Sequence, residues 1–311
     1  MSNDIQMLAI WGNPCSGKTT TAVKLATELA SHKKNVVILM CDFTSPAPQT
    51  LLPDVSTNGK SLGELLSLPS ISQEEILRRC IPFGKNPYIS LLGYQRSDNA
   101  FTYAKYSKER AIDLITLLRH VADYIIIDCD SAFFFDVLSA VALETADAVL
   151  RLCLCDLKSL SYFSSALPLL SDSRYASARH IKALSMVKPG QDNGEYENTF
   201  GGISYSLPFV SELEEQFYAA RLTDELCSNP ATAYNTAIQD IANNLMLGGE
   251  LMVKPKKALS FLPKQKPTKE KTAQESPVRS IRPLATLIKP KPEKTSGGIF
   301  DKLRRGKGGR S

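Results

Sequence analysis

Two stretches of this chain have almost no polar residue to offer either side of a strand: 36–41 (VVILMC) and 124–128 (YIIID). A strand that is apolar on both faces must be covered twice, which calls for a parallel sheet with helices on each side. The same kind of run recurs at 7–11 (MLAIW), 88–94 (YISLLGY), 148–154, 181–187 and 203–207. Between these runs lie segments with helical spacing of apolar residues, at 19–30, 74–80, 108–121, 137–145, 157–170, 212–220 and 234–247. Strand and helix alternate, so the expected fold class is α/β, a three-layer domain built on a mostly parallel sheet.

That pattern fills residues 1–251 and then ends. Of the 18 prolines, seven fall between positions 255 and 292, among many lysines. Charge divides at the same place. Residues 252–311 carry 17 Lys+Arg against 4 Asp+Glu, so the body keeps 20 against 28 and is acidic. The expected organisation is one α/β domain over 1–251 and a disordered, Pro/Lys-rich basic tail over 252–311. An acidic body argues against a general nucleic-acid-binding surface. The seven cysteines include no CxxC pair and only three histidines accompany them, which speaks against a zinc site. Buried, reduced thiols and a cytoplasmic location are expected instead. The opening MSNDIQMLAIWG lacks a basic segment followed by a long apolar one, so no signal peptide is expected. No run reaches the ~18 apolar residues of a membrane span.

The chemistry-bearing stretch lies between the first strand and the first helix. Gly12, Asn13, Pro14, Cys15, Ser16, Gly17, Lys18 and Thr19 satisfy GxxxxGK[ST] at every required position, in the required strand–loop–helix context. Glycines let backbone N–H groups turn toward phosphate oxygens, and the helix N-terminus adds partial positive charge. Lys18 is expected to bridge the outer phosphates, and the Thr19 hydroxyl to ligate Mg²⁺. These residues make a P-loop NTPase fold the specific expectation. A second acid for the metal or its waters is expected at a strand's carboxyl end, and Asp128 follows YIII there, with Asp130 two residues on. Asp42 follows VVILMC at the same edge. It is a candidate for orienting a water toward the γ-phosphate or holding a metal-bound water. It is equally a candidate turn residue opening DFTSPAP. Thr44 and Ser45 are weaker switch-hydroxyl candidates.

Together these stretches resemble the ParA/MinD group of P-loop ATPases, the deviant Walker A family. GNPCSGKTTTAVKLATELA resembles that family's first loop and helix, including a second threonine, Thr20. VVILMCDFTSPAP resembles its second strand, ADYIIIDCDSAF its Walker B strand, and ISYSLPFVSELEEQFYAA its late strand and "IP" loop, with Leu207 and Pro208 in the "IP" place. The resemblance implies ATP and Mg²⁺ as cofactors, a homodimer that closes face to face around the nucleotide, and a switch that positions plasmids, division inhibitors, pili or chemoreceptors. Four departures stand out. Asn13 takes the place of the family's signature lysine, Met40 that of one of two acids, Cys129-Asp130 that of the usual "PP", and no base-recognising Asn occurs at 187–189. Divergent members of the CpaE/TadZ pilus-assembly type tolerate such losses.

The chain ends in GIFDKLRRGKGGRS. On a helix Ile299, Phe300 and Leu303 share a face flanked by Lys302, Arg304 and Arg305, a miniature of a membrane-surface anchor. Each basic residue near an anionic leaflet is worth on the order of 1 kcal/mol. Membrane contact, nucleic-acid contact through the same lysines, a protein partner at 281–289, and a solvated tail with no fixed role all remain open. So do three functions: a weakly hydrolysing positioning or assembly switch, a non-hydrolysing ATP-binding scaffold of a pilus or conjugation system, and a small-molecule kinase. The body lacks an arginine-rich lid beyond Arg78-Arg79, which speaks against the kinase.

Overall fold

The structure is a computed structural model, and it describes residues 5–84 and 86–248. The expected anchor residues Ile299, Phe300 and Leu303 lie outside the described residues.

The chain opens with β1 (Met7–Gly12), α1 (Lys18–Ser31) and β2 (Val36–Met40). Three short helices follow, α2 (Pro48–Leu51), α3 (Leu62–Ser67) and α4 (Gln73–Arg79), then β3 (Ile81–Pro82) and β4 (Ile89–Gly93). Next come α5 (Lys108–Leu118), β5 (Tyr124–Asp128), α6 (Val137–Thr145), β6 (Ala148–Leu154) and α7 (Leu157–Ala166). The body closes with β7 (His180–Val187), α8 (Gly194–Phe200), β8 (Tyr205–Pro208), α9 (Ser211–Tyr218) and α10 (Ala231–Leu245).

Among the described residues the strands form one sheet in the order β3-β4-β2-β5-β1-β6-β7-β8. All pairings are parallel except β3 with β4. This is the expected three-layer α/β P-loop NTPase fold. The two-sided apolar strands have the expected cause. In β1, Met7, Ala9 and Trp11 join the core under α5, α6 and α7, while Leu8 and Ile10 join the core under α1 and α10. Ile125 and Ile127 of β5 face the first core and Ile126 the second. Strand order reverses beside β1, so its carboxyl end opens a crevice, the usual ligand position in such sheets.

Several boundaries differ from the sequence expectation. The helix expected over 157–170 stops at Ala166 and tightens into a 3₁₀ turn, Leu167–Leu170, where Pro168 lacks the N–H needed to continue. Strand β3 was not expected. It is two residues long and contains Pro82, which fits an edge position because its antiparallel partner lies on one side only. Ser61, Ser72 and Ser107 cap α3, α4 and α5 with side-chain hydrogen bonds, the local signals that start these helices.

Candidate functional site

The site is built where β1 turns into α1. Gly12 lies in register with Leu152 of β6, and a Cβ there would sit 2.1 Å from the Leu152 carbonyl oxygen. Only glycine lets the two backbones approach so closely. The loop then takes left-handed conformations at Cys15 (φ 61°) and Gly17 (φ 77°), which turns the chain back over itself. The Ser16 N–H donates to the Asn13 carbonyl at 3.3 Å, and the first helical N–H to find a carbonyl from the loop is that of Thr21, to Gly17 at 2.8 Å. No side chain caps α1. Its first turn therefore presents backbone N–H groups and the positive end of the helix dipole to the crevice.

Asn13, in the place of the signature lysine, is buried and does a structural job. Its Oδ1 accepts the Leu154 N–H at 3.1 Å and its Nδ2 donates to the Pro14 carbonyl at 2.9 Å. The loop is thus pinned to the end of β6 from one side. On the other side the Ser185 hydroxyl donates to the Ser16 carbonyl at 2.7 Å and pins it to β7.

Lys18 and Thr19 point at the carboxyl ends of the sheet. Lys18 Nζ donates to the Ser131 hydroxyl at 2.6 Å and to the Asn13 carbonyl at 3.4 Å. The Thr19 hydroxyl donates to Asp128 Oδ2 at 2.6 Å. Asp128 is 5% exposed. Burial pushes its carboxyl up to about 6, against the opposing pull of Lys18 and the Thr19 hydroxyl, with Asp42 and Asp130 adding to the rise. Asp130 is also raised by burial, and its Oδ1 accepts the Ala132 N–H at 2.7 Å.

Asp42 combines both sequence readings. Its Oδ1 accepts from the Thr44 N–H, the Thr44 hydroxyl and the Ser45 N–H at 2.8, 2.6 and 2.9 Å, so it opens the turn. It also lines the same cavity as Lys18, Thr19 and Asp128. Thr44 and Ser45 are held in that turn and are absent from the cavity wall.

The cavity has a volume of about 650 Å³, in the range of small-ligand sites. Residues 15–21 form one wall of it, and Thr20 is among them. Gly12, Asn13 and Pro14 shape the loop without lining the cavity. The opposite wall is apolar: Met186, Pro208, Phe209, Leu213 and Phe217, from the ends of β7 and β8 and from α9. Met186 bulges out of β7 at φ 54°, and its methyl group would sit 3.1 Å from a Cβ on Gly17. Pro208 of the "IP" place stands on this wall, whereas Leu207 is buried beneath it.

Sequence reasoning passed over Ser131. Its hydroxyl takes Lys18, and its carbonyl accepts from Trp11 Nε1 at 3.2 Å and from the Tyr162 hydroxyl. No local motif marks it, because Lys18 and Trp11 lie 113 and 120 residues away in sequence and Tyr162 lies 31 away. Asp136 was missed too. It caps α6 through the N–H groups of Leu138 and Ser139 and accepts the Tyr106 hydroxyl at 3.2 Å. An Asp before an apolar helix is a legible cap signal.

The donor set suits a metal–phosphate ligand. Among the described residues no group of three His, Cys, Asp or Glu side chains is placed to hold a metal by itself. One hydroxyl and one carboxylate, Thr19 and Asp128, fit a hard cation that keeps waters and takes its other ligands from phosphate oxygens. The buried Ser16 hydroxyl has no hydrogen-bond partner among the described residues.

Residues 12–170 match the family described as AAA domain. Comparison with curated proteins gives no sequence match. The fold is similar to a ParA family ATPase from Chlorobium tepidum TLS, with TM-score 0.64 and 18% identity over 77% of this chain and 99% of that one. It is similar to a putative plasmid partition protein from Borrelia burgdorferi B31 bound to AMPPNP (TM-score 0.57, 18% identity, 76% and 98%). It is also similar to the septum site-determining protein MinD of Pyrococcus horikoshii OT3 complexed with Mg-ADP (TM-score 0.57, 15% identity, 81% and 99%). With residues 12–170 matched by its model, this chain belongs to the AAA domain family, and its fold is that of the ParA and MinD structures.

Proposed function

We propose that the chain binds Mg·ATP in the cavity at the start of α1 and acts as a nucleotide-dependent switch. The switch would position or assemble a cellular machine such as a plasmid, conjugative or pilus/secretion apparatus, with slow turnover of ATP. One observation carries the nucleotide part: Lys18, Thr19 and Asp128, from two different strands' ends, converge on one cavity with an uncapped helix N-terminus. Thr19 and Asp128 would hold Mg²⁺, which supplies charge neutralisation on the outer phosphates. Lys18 and the N–H groups of α1's first turn bind the phosphates. Asp42, on the same wall, is placed to orient a water or hold a metal-bound one. The apolar wall from Met186 to Phe217 receives the base by burial and carries no Asn to read it.

The burial of Asn13 favours a second reading, a non-hydrolysing ATP-binding scaffold of a pilus or conjugation system. A neutral side chain committed to Leu154 and Pro14 cannot reach across to a partner's phosphates. The proposed organisation remains an ATPase domain over 1–251 with the basic tail 252–311 as a contact for a membrane surface or a protein, and nucleic acid as the less favoured target. A homodimer and a peripheral position at the inner face of the membrane belong to the same proposal. No helix among the described residues is long and apolar enough to cross a membrane.

ATP titration of the wild type and Lys18→Ala tests the site; unchanged affinity in the variant removes the assignment. Phosphate release measured with and without anionic liposomes separates the switch from the scaffold. Equal liposome binding by the full chain and a chain ending at Leu251 removes the tail's role.

A further inference from the structure

The sequence of α1 places a lysine, Lys24, on a helix face that the fold buries. Lys24 is 7% exposed. Its Nζ donates to Gln216 Oε1 at 2.6 Å and to the Asp224 carbonyl at 2.8 Å. Both acceptors belong to α9 or to the segment after it. Among the described residues no carboxylate contacts the ammonium directly, although Asp224 and Glu212 lie near enough to favour its charge. Burial prevails and lowers its pKa to about 8.

A buried ammonium is costly to keep, and a helix made of ordinary core residues would pack α1 on α9 without it. What Lys24 gains is direction. Gln216 is itself 5% exposed, and its Nε2 donates to the Glu225 carbonyl at 3.0 Å, while the Arg221 N–H donates to the Gln216 carbonyl at 2.7 Å. Glu212, one turn earlier, accepts the N–H groups of Cys227 and Ser228 at 2.9 Å each. The segment after α9 is therefore wrapped around its buried face, with Lys24 at the centre. The same helix supplies Leu213, Glu214, Phe217 and Tyr218 to the cavity wall. Phe217 and Tyr218 are 36% and 85% exposed, whereas Leu213 packs against the core under α1 and α10.

We infer that Lys24 is a positioning residue for nucleotide binding: through Gln216 and Asp224 it fixes α9, and so sets the wall that receives the nucleoside while leaving the phosphate loop untouched. Lys18 and Lys24 lie on the same helix but serve opposite ends of the ligand. Lys18 meets charge directly. Lys24 acts through a neighbouring helix on the apolar end. This role presupposes the nucleotide reading of the cavity and adds to it a division of labour within α1.

The test compares two ligands that share the phosphates and differ in the nucleoside, ATP and inorganic tripolyphosphate, each with Mg²⁺, by calorimetry on the full chain. Lys24→Met keeps an unbranched side chain one atom shorter and removes the ammonium. Gln216→Leu breaks the same link from α9 and leaves α1 unaltered. The expected result is an ATP Kd raised about tenfold in either variant, the size of one lost hydrogen bond to a charged group. Tripolyphosphate affinity stays within about twofold of wild type. Should Lys24→Met fail to fold, Gln216→Leu alone decides. Unchanged ATP affinity, or equal weakening for both ligands, overturns the positioning role, because a merely structural lysine would weaken both alike. If the wild type binds neither ligand, the nucleotide reading itself falls, and the role of Lys24 with it.

Discussion

Replacing Asp128 by asparagine is expected to stabilise the protein in the absence of nucleotide and metal. The carboxyl is fully buried at the end of β5, and burial, only partly offset by Lys18 and Thr19, lifts it from an ordinary 3.8 to about 6. Near pH 7.5 the folded chain must keep it ionised in a place that disfavours charge. A difference of about two pH units corresponds to roughly 3 kcal/mol. The sign follows from proton binding. Between about pH 4 and 6 the folded state holds more of this proton than the unfolded state, so the penalty is absent below about pH 4, grows between about pH 4 and 6 and is complete above that. Asparagine removes the charge and keeps an oxygen to accept the Thr19 hydroxyl. Urea unfolding of both proteins at pH 7.5 should give a gap of about 3 kcal/mol in favour of Asp128→Asn, shrinking to roughly half that at pH 5. The same variant should lose Mg²⁺-dependent tightening of ATP binding. A variant that is no more stable than wild type at pH 7.5, or whose gap does not change with pH, would refute the assignment of a strained, buried charge at this strand end.

Three further outcomes follow from the same geometry. The chain's single tryptophan, Trp11, is fully buried with its indole N–H on the Ser131 carbonyl; its emission should shift when ATP draws Lys18 from Ser131, and no shift should occur in Lys18→Ala. Asn13→Lys, which writes the family's signature residue back into the loop, should lower stability by about 1–3 kcal/mol, because the Leu154 N–H loses its acceptor; thermal melting measures this, and an unchanged melt rejects the clamp. His180 is pushed down to about 4 by burial and by Arg151, whose Nη2 contacts its Nδ1 at 2.9 Å. Its unfolded form takes up a proton first, so stability should fall as pH drops from about 6.5 toward 4, most visibly in the Asp128→Asn background, where the opposing titration is gone.

Sheet and phosphate loop could be read from the chain because their signals are local: a doubly apolar strand, a glycine where two backbones meet, a lysine and a threonine opening a helix. The parts that could not be read depend on distant partners. Ser131 matters only because Lys18, Trp11 and Tyr162 are brought to it. Lys24 looks like a polar interruption on an amphipathic helix until α9 folds over it. Asn13 reads in sequence as a loss of chemistry, and the fold shows the same residue holding the loop to β6. Edge strand β3 and helix α8 carry too few apolar residues for periodicity to reveal them. Asp42 was legible as a turn opener at the strands' carboxyl edge, and the fold shows it there, its carboxylate in the turn and the residue on the cavity wall.

The two ends of Ser131 have different partners, and that asymmetry has a mechanical consequence. Its carbonyl is held by Trp11 and Tyr162 from within the core, whereas its hydroxyl is held by the one lysine that phosphate would claim. Release of the hydroxyl leaves the carbonyl bonds intact, so the backbone there works as a fixed fulcrum. From it runs the short row Phe133-Phe134-Phe135, whose rings meet edge to face in sequence from a buried root to a tip 80% exposed. Under the proposed nucleotide binding, loss of the Lys18 contact therefore frees only the hydroxyl end, and the aromatic row keeps its root at Phe133, whose ring meets that of Trp11 at 5.3 Å.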